Sequence, residues 1–169
     1  TVAQRLSAYN QLGVYLQQKG MYRGSSEYFK HASELALGSN DLSMVAGIYH
    51  NLGINAIRSG HYDEGLEFAY KSADLYRELN DSLHLAQVYN DLSTIYRKLN
   101  RFDQAIDFLT KAQILNMNHE NWSQVADNYY NLGKIYVDRR HIATAQQYFH
   151  RALRIHENTG DAHGRALCL

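Results

Sequence analysis

Apolar and polar positions recur along the chain at a step of 40 residues, without insertion. Tyr9, Tyr49, Tyr89 and Tyr129 form one column, and Leu12, Leu52, Leu92 and Leu132 form another. Small residues keep the same step at Gly13, Gly53, Ser93 and Gly133, at Ser25, Gly65, Ala105 and Ala145, and at Ala32, Ser72, Ala112 and Ala152. Leu35, Leu75, Leu115 and Ile155 complete the apolar set. Columns that hold register over the whole chain define a tandem repeat. Its units are 1–40, 41–80, 81–120 and 121–160, with the start of a fifth at 161–169.

Inside each unit the pattern takes the period of a helix. Ala46, Tyr49, Leu52, Gly53 and Ala56 fall on one helical face, which predicts an amphipathic first helix. Thr1, Asp41, Asp81, Asn121 and Asp161 stand where it starts, and all are good N-cap types. Gly20, Gly60 and Asn100 stand where it ends, and each tolerates the left-handed conformation of a helix C-terminus. Arg140 occupies that place in the fourth unit, so a strained or differently shaped turn is expected there. Second helices are predicted from Tyr22, Tyr62, Phe102 and Ile142 to about Leu37, Leu79, Met117 and Asn158. Glycine inside a helix costs roughly 1 kcal/mol relative to alanine. The small columns therefore call for a compensating close approach of the two helices, with Gly53 facing Gly65 and with Tyr49, Leu52 and Leu66 filling the seam. A bulky replacement of Gly133 should pry such a pair apart.

These residues carry a resemblance. Tyr129, Leu132, Gly133, Tyr136, Ala145, Phe149 and Ala152 follow the order of the tetratricopeptide repeat, whose basic unit is 34 residues with a proline near its end. Here proline is absent and the unit is 40, which lengthens the second helix. This long form is similar to the repeats of kinesin light chains, Pins-type adaptors and bacterial signalling proteins, including sensor kinases, LuxR-type regulators and Rap-type peptide receptors. The resemblance implies an all-α solenoid of stacked antiparallel helix pairs in a right-handed superhelix, with the first helices lining a concave face. It further implies a sensory or regulatory module within a larger signalling or transcription-regulatory protein. Thr1 on a cap position and a fifth unit that breaks off lead us to expect a longer natural chain.

Composition narrows the chemistry. Lys and Arg number 17 against 17 Asp and Glu, which removes the electrostatic ground for nucleic-acid binding through this segment. No run reaches the ~18 apolar residues of a membrane helix, so no insertion is expected. One cysteine, Cys168, allows neither an internal disulfide nor a cysteine zinc site. It fits a cytoplasmic protein, with a periplasmic sensor domain as the alternative. Nine histidines show no metal-ligand spacing, with no His-Glu-x-x-His among them. No phosphate loop, nucleophile elbow or catalytic triad order occurs either, so no cofactor, metal or enzymatic activity is expected. The tyrosine column on the small-residue face reads as core packing in preference to base stacking.

Opposite the core stripe lies a second, polar one. It holds Ser7, Asn10, Gln11, Val14 and Gln18 in the first unit, and Gly47, His50, Asn51, Ile54 and Arg58 in the second. The third gives Gln87, Asn90, Asp91, Thr94 and Lys98, and the fourth Asp127, Tyr130, Asn131, Lys134 and Asp138. The column Gln11, Asn51, Asp91, Asn131 is the most informative, because a carboxamide both donates and accepts and can bind the backbone of an extended peptide whatever its sequence. In the long-unit members that the chain resembles, an asparagine here is such a backbone reader. The expected partner is a protein or extended peptide, touched by Gln11, His50, Asn51, Arg58, Asn90, Asp91, Tyr130, Asn131 and Lys134. A chaperone-type carboxylate clamp is not expected, since Lys134 is the one cation near the columns that would form it. Two alternatives remain. The polar stripe can be solvated or bonded to neighbouring helices, and the solenoid can serve as an oligomerisation scaffold that self-associates through its ends.

Overall fold

In this computed structural model the described residues are 1–38, 41–161, 164 and 166. They form eight helices: α1 (Val2–Gln18), α2 (Tyr22–Ala36), α3 (Leu42–Ser59), α4 (Tyr62–Glu78), α5 (Ser82–Lys98), α6 (Phe102–Asn118), α7 (Trp122–Asp138) and α8 (Ile142–Thr159). Each repeat is thus a helix pair, and the predicted ends of the second helices fall within one residue of those observed. Most of the fifth unit, with His163 and Cys168, lies outside the described residues. The chain divides into two compact units, Thr1–Asp91 and Leu92–Leu169, at a boundary inside α5. In the first, α1 packs on α2, α2 on α3 and α3 on α4; in the second, α6 packs on α7 and α7 on α8.

The caps explain where helices begin. Thr1, Asp41, Asp81 and Asp161 accept the amides of Gln4, Met44, His84 and Gly164 at 3.3, 3.0, 3.2 and 2.9 Å. Each bond satisfies one donor of the first turn, worth about 1 kcal/mol. Asn121 makes no such bond, so the capping expectation fails in the fourth unit. Asp81 is held below the usual carboxylate range: burial opposes this, but hydrogen bonds from the His84 amide and ring outweigh it.

The turns follow one design throughout. Gly20, Gly60, Asn100 and Arg140 all have positive φ, at 73°, 78°, 58° and 62°. Arg140 therefore keeps the shape of the equivalent turns, and the departure expected there takes the form of strain alone. The turns between repeats use the same device at Asn80, Glu120 and Gly160, with φ of 55°, 53° and 72°. That column was invisible in the sequence because Glu120 does not advertise a left-handed residue.

Packing inside each pair rests on the small column. A methyl group at Gly13 would fall 2.7 Å from the ring of Phe29, which is wholly buried, and one at Gly133 would collide with the ring of Phe149. Gly53 meets its partner differently, since its would-be methyl lies 3.6 Å from the Ala69 amide and 3.7 Å from the Gly65 carbonyl. Two units therefore set a ring over a glycine, and one sets backbone against backbone. Beside this contact the tyrosine column packs on an aromatic of the second helix: Tyr9 tilted against Tyr28, Tyr49 stacked on Phe68 and Tyr129 stacked on Tyr148, with ring centres 6.1, 6.0 and 6.2 Å apart. Such pairs add about 0.5–1.5 kcal/mol beyond area burial. The small serines also bond: Ser25 Oγ donates to the Gly13 carbonyl at 2.7 Å and Ser72 Oγ to the Ala46 carbonyl at 2.9 Å.

A polar network spans the junction of the first two repeats. Asn55 is 1% exposed; its Oδ1 accepts from Gln17 Nε2 at 2.8 Å, and its Nδ2 donates to Ser25 and Ser26 hydroxyls at 2.8 and 3.2 Å. Leu12 departs from its column: Leu52, Leu92 and Leu132 are buried, whereas Leu12 is 44% exposed. In the first unit Leu52 lies against α2 beside Asn55.

Gly13→Ala should destabilise the protein by about 1–3 kcal/mol through overpacking against Phe29. Gly53→Ala should be neutral or stabilising by up to about 1 kcal/mol, because its methyl finds ordinary contact and the helix gains propensity. Urea denaturation of both variants checks the contrast, and equal effects would refute the ring-over-glycine packing. Arg140→Gly should stabilise by about 1 kcal/mol by removing a left-handed arginine; an unchanged or lower melting temperature would show that the turn stores no strain.

Candidate functional site

On an α-helix the positions i, i+3, i+4, i+7 and i+11 share a face, which gathers the polar stripe of each first helix. In the first unit this surface holds a recess of about 310 Å³ between α1 and α3, lined by Asn10, Asp41, Met44, Gly47 and Asn51 among others. Asn51 is half-buried at its edge. Asn10 Oδ1 is buried and has no hydrogen-bond partner, which is uncommon for a buried polar atom. Asn10 stood in the polar stripe but was not among the nine expected contact residues. The signal that could have promoted it was its place one turn from Ser7 and Val14 on α1.

His50 and Asp91 meet directly. His50 Nε2 lies 2.7 Å from Asp91 Oδ2, joining α3 to α5, and the two side chains are 15% and 28% exposed. One carboxylate oxygen of Asp91 is thereby engaged by its neighbour. Asn90 is half-buried and has an interaction partner within the protein. Gln11 is exposed and donates to Ser7 Oγ at 3.3 Å on its own helix. Arg58 is exposed in the last turn of α3, away from these contacts.

The second unit brings Tyr130 and Lys134 together. The Lys134 ammonium sits 5.2 Å from the centre of the Tyr130 ring, which itself packs on Phe149 at 5.5 Å. Arg97, only 18% exposed, bonds Asp138 at 2.6 Å. Lys134 is half-buried and is held below the usual lysine value of 10.5. Burial is the largest cause, followed by repulsion from Arg97 and then Lys98, with Asp138 pulling the other way. Arg97 was missed by the stripe, because its column reads Gln17, Ile57, Arg97 and Val137 and looks like a helix flank. Asn131 lies half-buried on the same face of α7, between Tyr130 and Lys134.

Sequence profiles for the tetratricopeptide repeat match residues 44–113, and residues 6–38 and 126–159. The chain belongs to the tetratricopeptide repeat family. No curated protein matches its sequence. Among solved structures it resembles a Rap protein complexed with Competence and Sporulation Factor, with TM-score 0.83 and 18% identity over 94% of this chain and 44% of that one. It resembles aspartyl phosphate phosphatase F from Bacillus subtilis, with TM-score 0.87 and 18% identity over 95% of this chain and 42% of that one. A putative kinesin light chain from Podosopora anserina gives TM-score 0.79 and 13% identity over 97% of this chain and 81% of that one. At these identities the shared property is the fold, a helical solenoid that serves in general as a protein-interaction scaffold. This tetratricopeptide array spans less than half of the Rap protein and of the phosphatase. None of its described helices is long and apolar enough to cross a membrane.

Lys134 yields a signed prediction. Its folded state binds the proton less tightly than the unfolded chain does. Between the lowered folded value and 10.5 the unfolded chain therefore carries more protons, and stability rises with pH. At neutral pH the charge is a net cost, so Lys134→Met should raise the melting temperature, and this advantage should shrink through that window. A lower melting temperature for the variant at pH 7 would show that the ammonium is compensated.

Proposed function

We propose that the array is a non-enzymatic regulatory module that binds an extended peptide on the first-helix faces of its units. The observation that carries this reading is hydrogen-bonding capacity left unspent on those faces. Among the described residues, Asn10 Oδ1 has no hydrogen-bond partner beside the recess edged by Asn51, and Lys134 carries a half-buried charge with no acid bonded to it. Groups that cost stability in the free protein are typical of surfaces kept for a ligand. A peptide backbone supplies the donors and acceptors that such amides match, one repeat at a time.

In this reading Asn51 and Asn131 hold the main chain. Arg58, Tyr130 and Lys134 sort side chains, with Gln11 and Asn90 at the margins. His50 and Asp91, already bonded to each other, act as one fixed polar element. The likeness to a Rap protein complexed with Competence and Sporulation Factor supports a peptide ligand and a place in signal transduction. The module belongs in this reading to a larger cytoplasmic protein. Self-association as a scaffold is the competing reading.

Replacing both Asn51 and Asn131 by alanine should leave helicity and melting nearly unchanged. It should weaken partner binding by roughly 2–3 kcal/mol, at about 1–1.5 for each contact. Once pull-down with the full-length protein identifies a partner, titration calorimetry measures the difference. Equal affinity of double mutant and parent would refute the backbone-reading role.

A further inference from the structure

The groove on the other side of α2 differs between repeats in a way that packing alone does not require. In the second unit a salt bridge crosses the position: Arg139 Nη1 bonds Asp103 Oδ1 at 2.9 Å, joining α7 to α6. By repeat register Ile106, half-buried, and Ile135, buried, stand at the neighbouring positions. The equivalent residues 80 positions earlier are Ser59 and Arg23 above, with Ser26 and Asn55 below. Here the bridge is missing, because serine replaces the cation and arginine replaces the acid.

A groove lies at this position in the first unit. It has a volume of about 500 Å³, within the range of small-ligand sites, and runs between α2 and the α3–α4 pair. Its floor is polar, with Asn55 buried to 1% exposure and hydrogen-bonded to Ser26, so the amide is fixed in place before any ligand arrives. Lys30 and Glu64 tie one end together at 3.2 Å. At the other end Arg23 is exposed, with Glu27 one turn along α2 and with Ser59 and His61 across the gap, and it makes no ion pair or hydrogen bond among the described residues.

We infer that this groove binds a polar ligand bearing a carboxylate, which pairs with Arg23 while its hydrogen-bonding groups meet the Ser26 and Ser59 hydroxyls above the already bonded Asn55 amide. The ligand supplies to Arg23 the acid that Asp103 supplies to Arg139 in the second unit. A bidentate carboxylate is the group a free guanidinium fits best. The site lies on α2 and the end of α3, apart from the first-helix stripe, and it stands or falls independently of peptide binding there. Two sources offer this chemistry: a free small molecule, or an acidic side chain of a partner protein.

The test follows the side-chain amide signals of Asn55 by ¹H–¹⁵N NMR during titration with three probes at constant ionic strength. These are N-acetyl-L-serine, its neutral amide, and the capped peptide acetyl-Gly-Asp-Gly-amide. A saturable shift with N-acetyl-L-serine, needing at least about tenfold more of the neutral amide, is expected. Tighter binding of the tripeptide would identify the partner side chain as the source, and weaker binding the free molecule; both support the site. Arg23→Gln should weaken the carboxylates about tenfold or more, whereas Arg5→Gln, an exposed arginine on α1 outside the groove, should not. Arg23→Asp combined with Ser59→Arg should rebuild the bridge of the second unit, keep the melting temperature and abolish the Asn55 shift. Equal response to acid and amide, an unaffected Arg23→Gln variant, or no saturable shift at Asn55 would each overturn the proposal.

Discussion

Everything in this fold depends on how closely the two helices of a repeat approach at one small residue. Where Gly13 faces Phe29 and Gly133 faces Phe149, a ring occupies the space that a Cβ would claim. Where Gly53 faces Ala69, the backbones themselves come together. The column 16 residues further on reads Phe29, Ala69, Leu109 and Phe149, so partner size varies while the first helix keeps a small residue. The paired aromatics and the serine-to-carbonyl bonds lie within two turns of this contact, which holds the helices at the distance they need. Polar side chains on the outer stripe are positioned only as a result.

The helix pairs were legible in the sequence because their signals are local and repeated. Cap types at Thr1, Asp41 and Asp81, and left-handed types at Gly20, Gly60 and Asn100, each stand for one backbone conformation, and periodicity multiplies their weight. The failures are equally instructive. Asn121 has the right chemistry for a cap and makes no cap bond, because residue type alone does not set the side-chain rotamer. Leu12 matches its column yet is exposed, because burial depends on what another helix brings to that face.

The candidate site was legible only in part, for a physical reason. Helical spacing tells which side chains share a face but not which of them satisfy one another across helices. The spacing put His50 and Asp91 on the stripe, and the structure bonds them together. It passed over Arg97, whose salt bridge to Asp138 and repulsion of Lys134 shape the electrostatics of the second unit. Asn55 was hidden altogether, since its column reads Tyr15, Asn55, Ile95 and Ile135 and has no consensus.

That lack of consensus bears on how the chain assembles. Repeats of equal length and similar surface invite mispairing, in which a helix docks on the wrong neighbour during folding. The amide of Asn55 finds its partners only where Gln17 approaches from one side and Ser25 and Ser26 from the other. Against any other second helix the same place is lined by different residues, such as Ile106 in the third repeat, and a buried amide without partners costs about 1–3 kcal/mol. A single asparagine in an otherwise interchangeable series thus works as an address label, specifying which two repeats are to be neighbours.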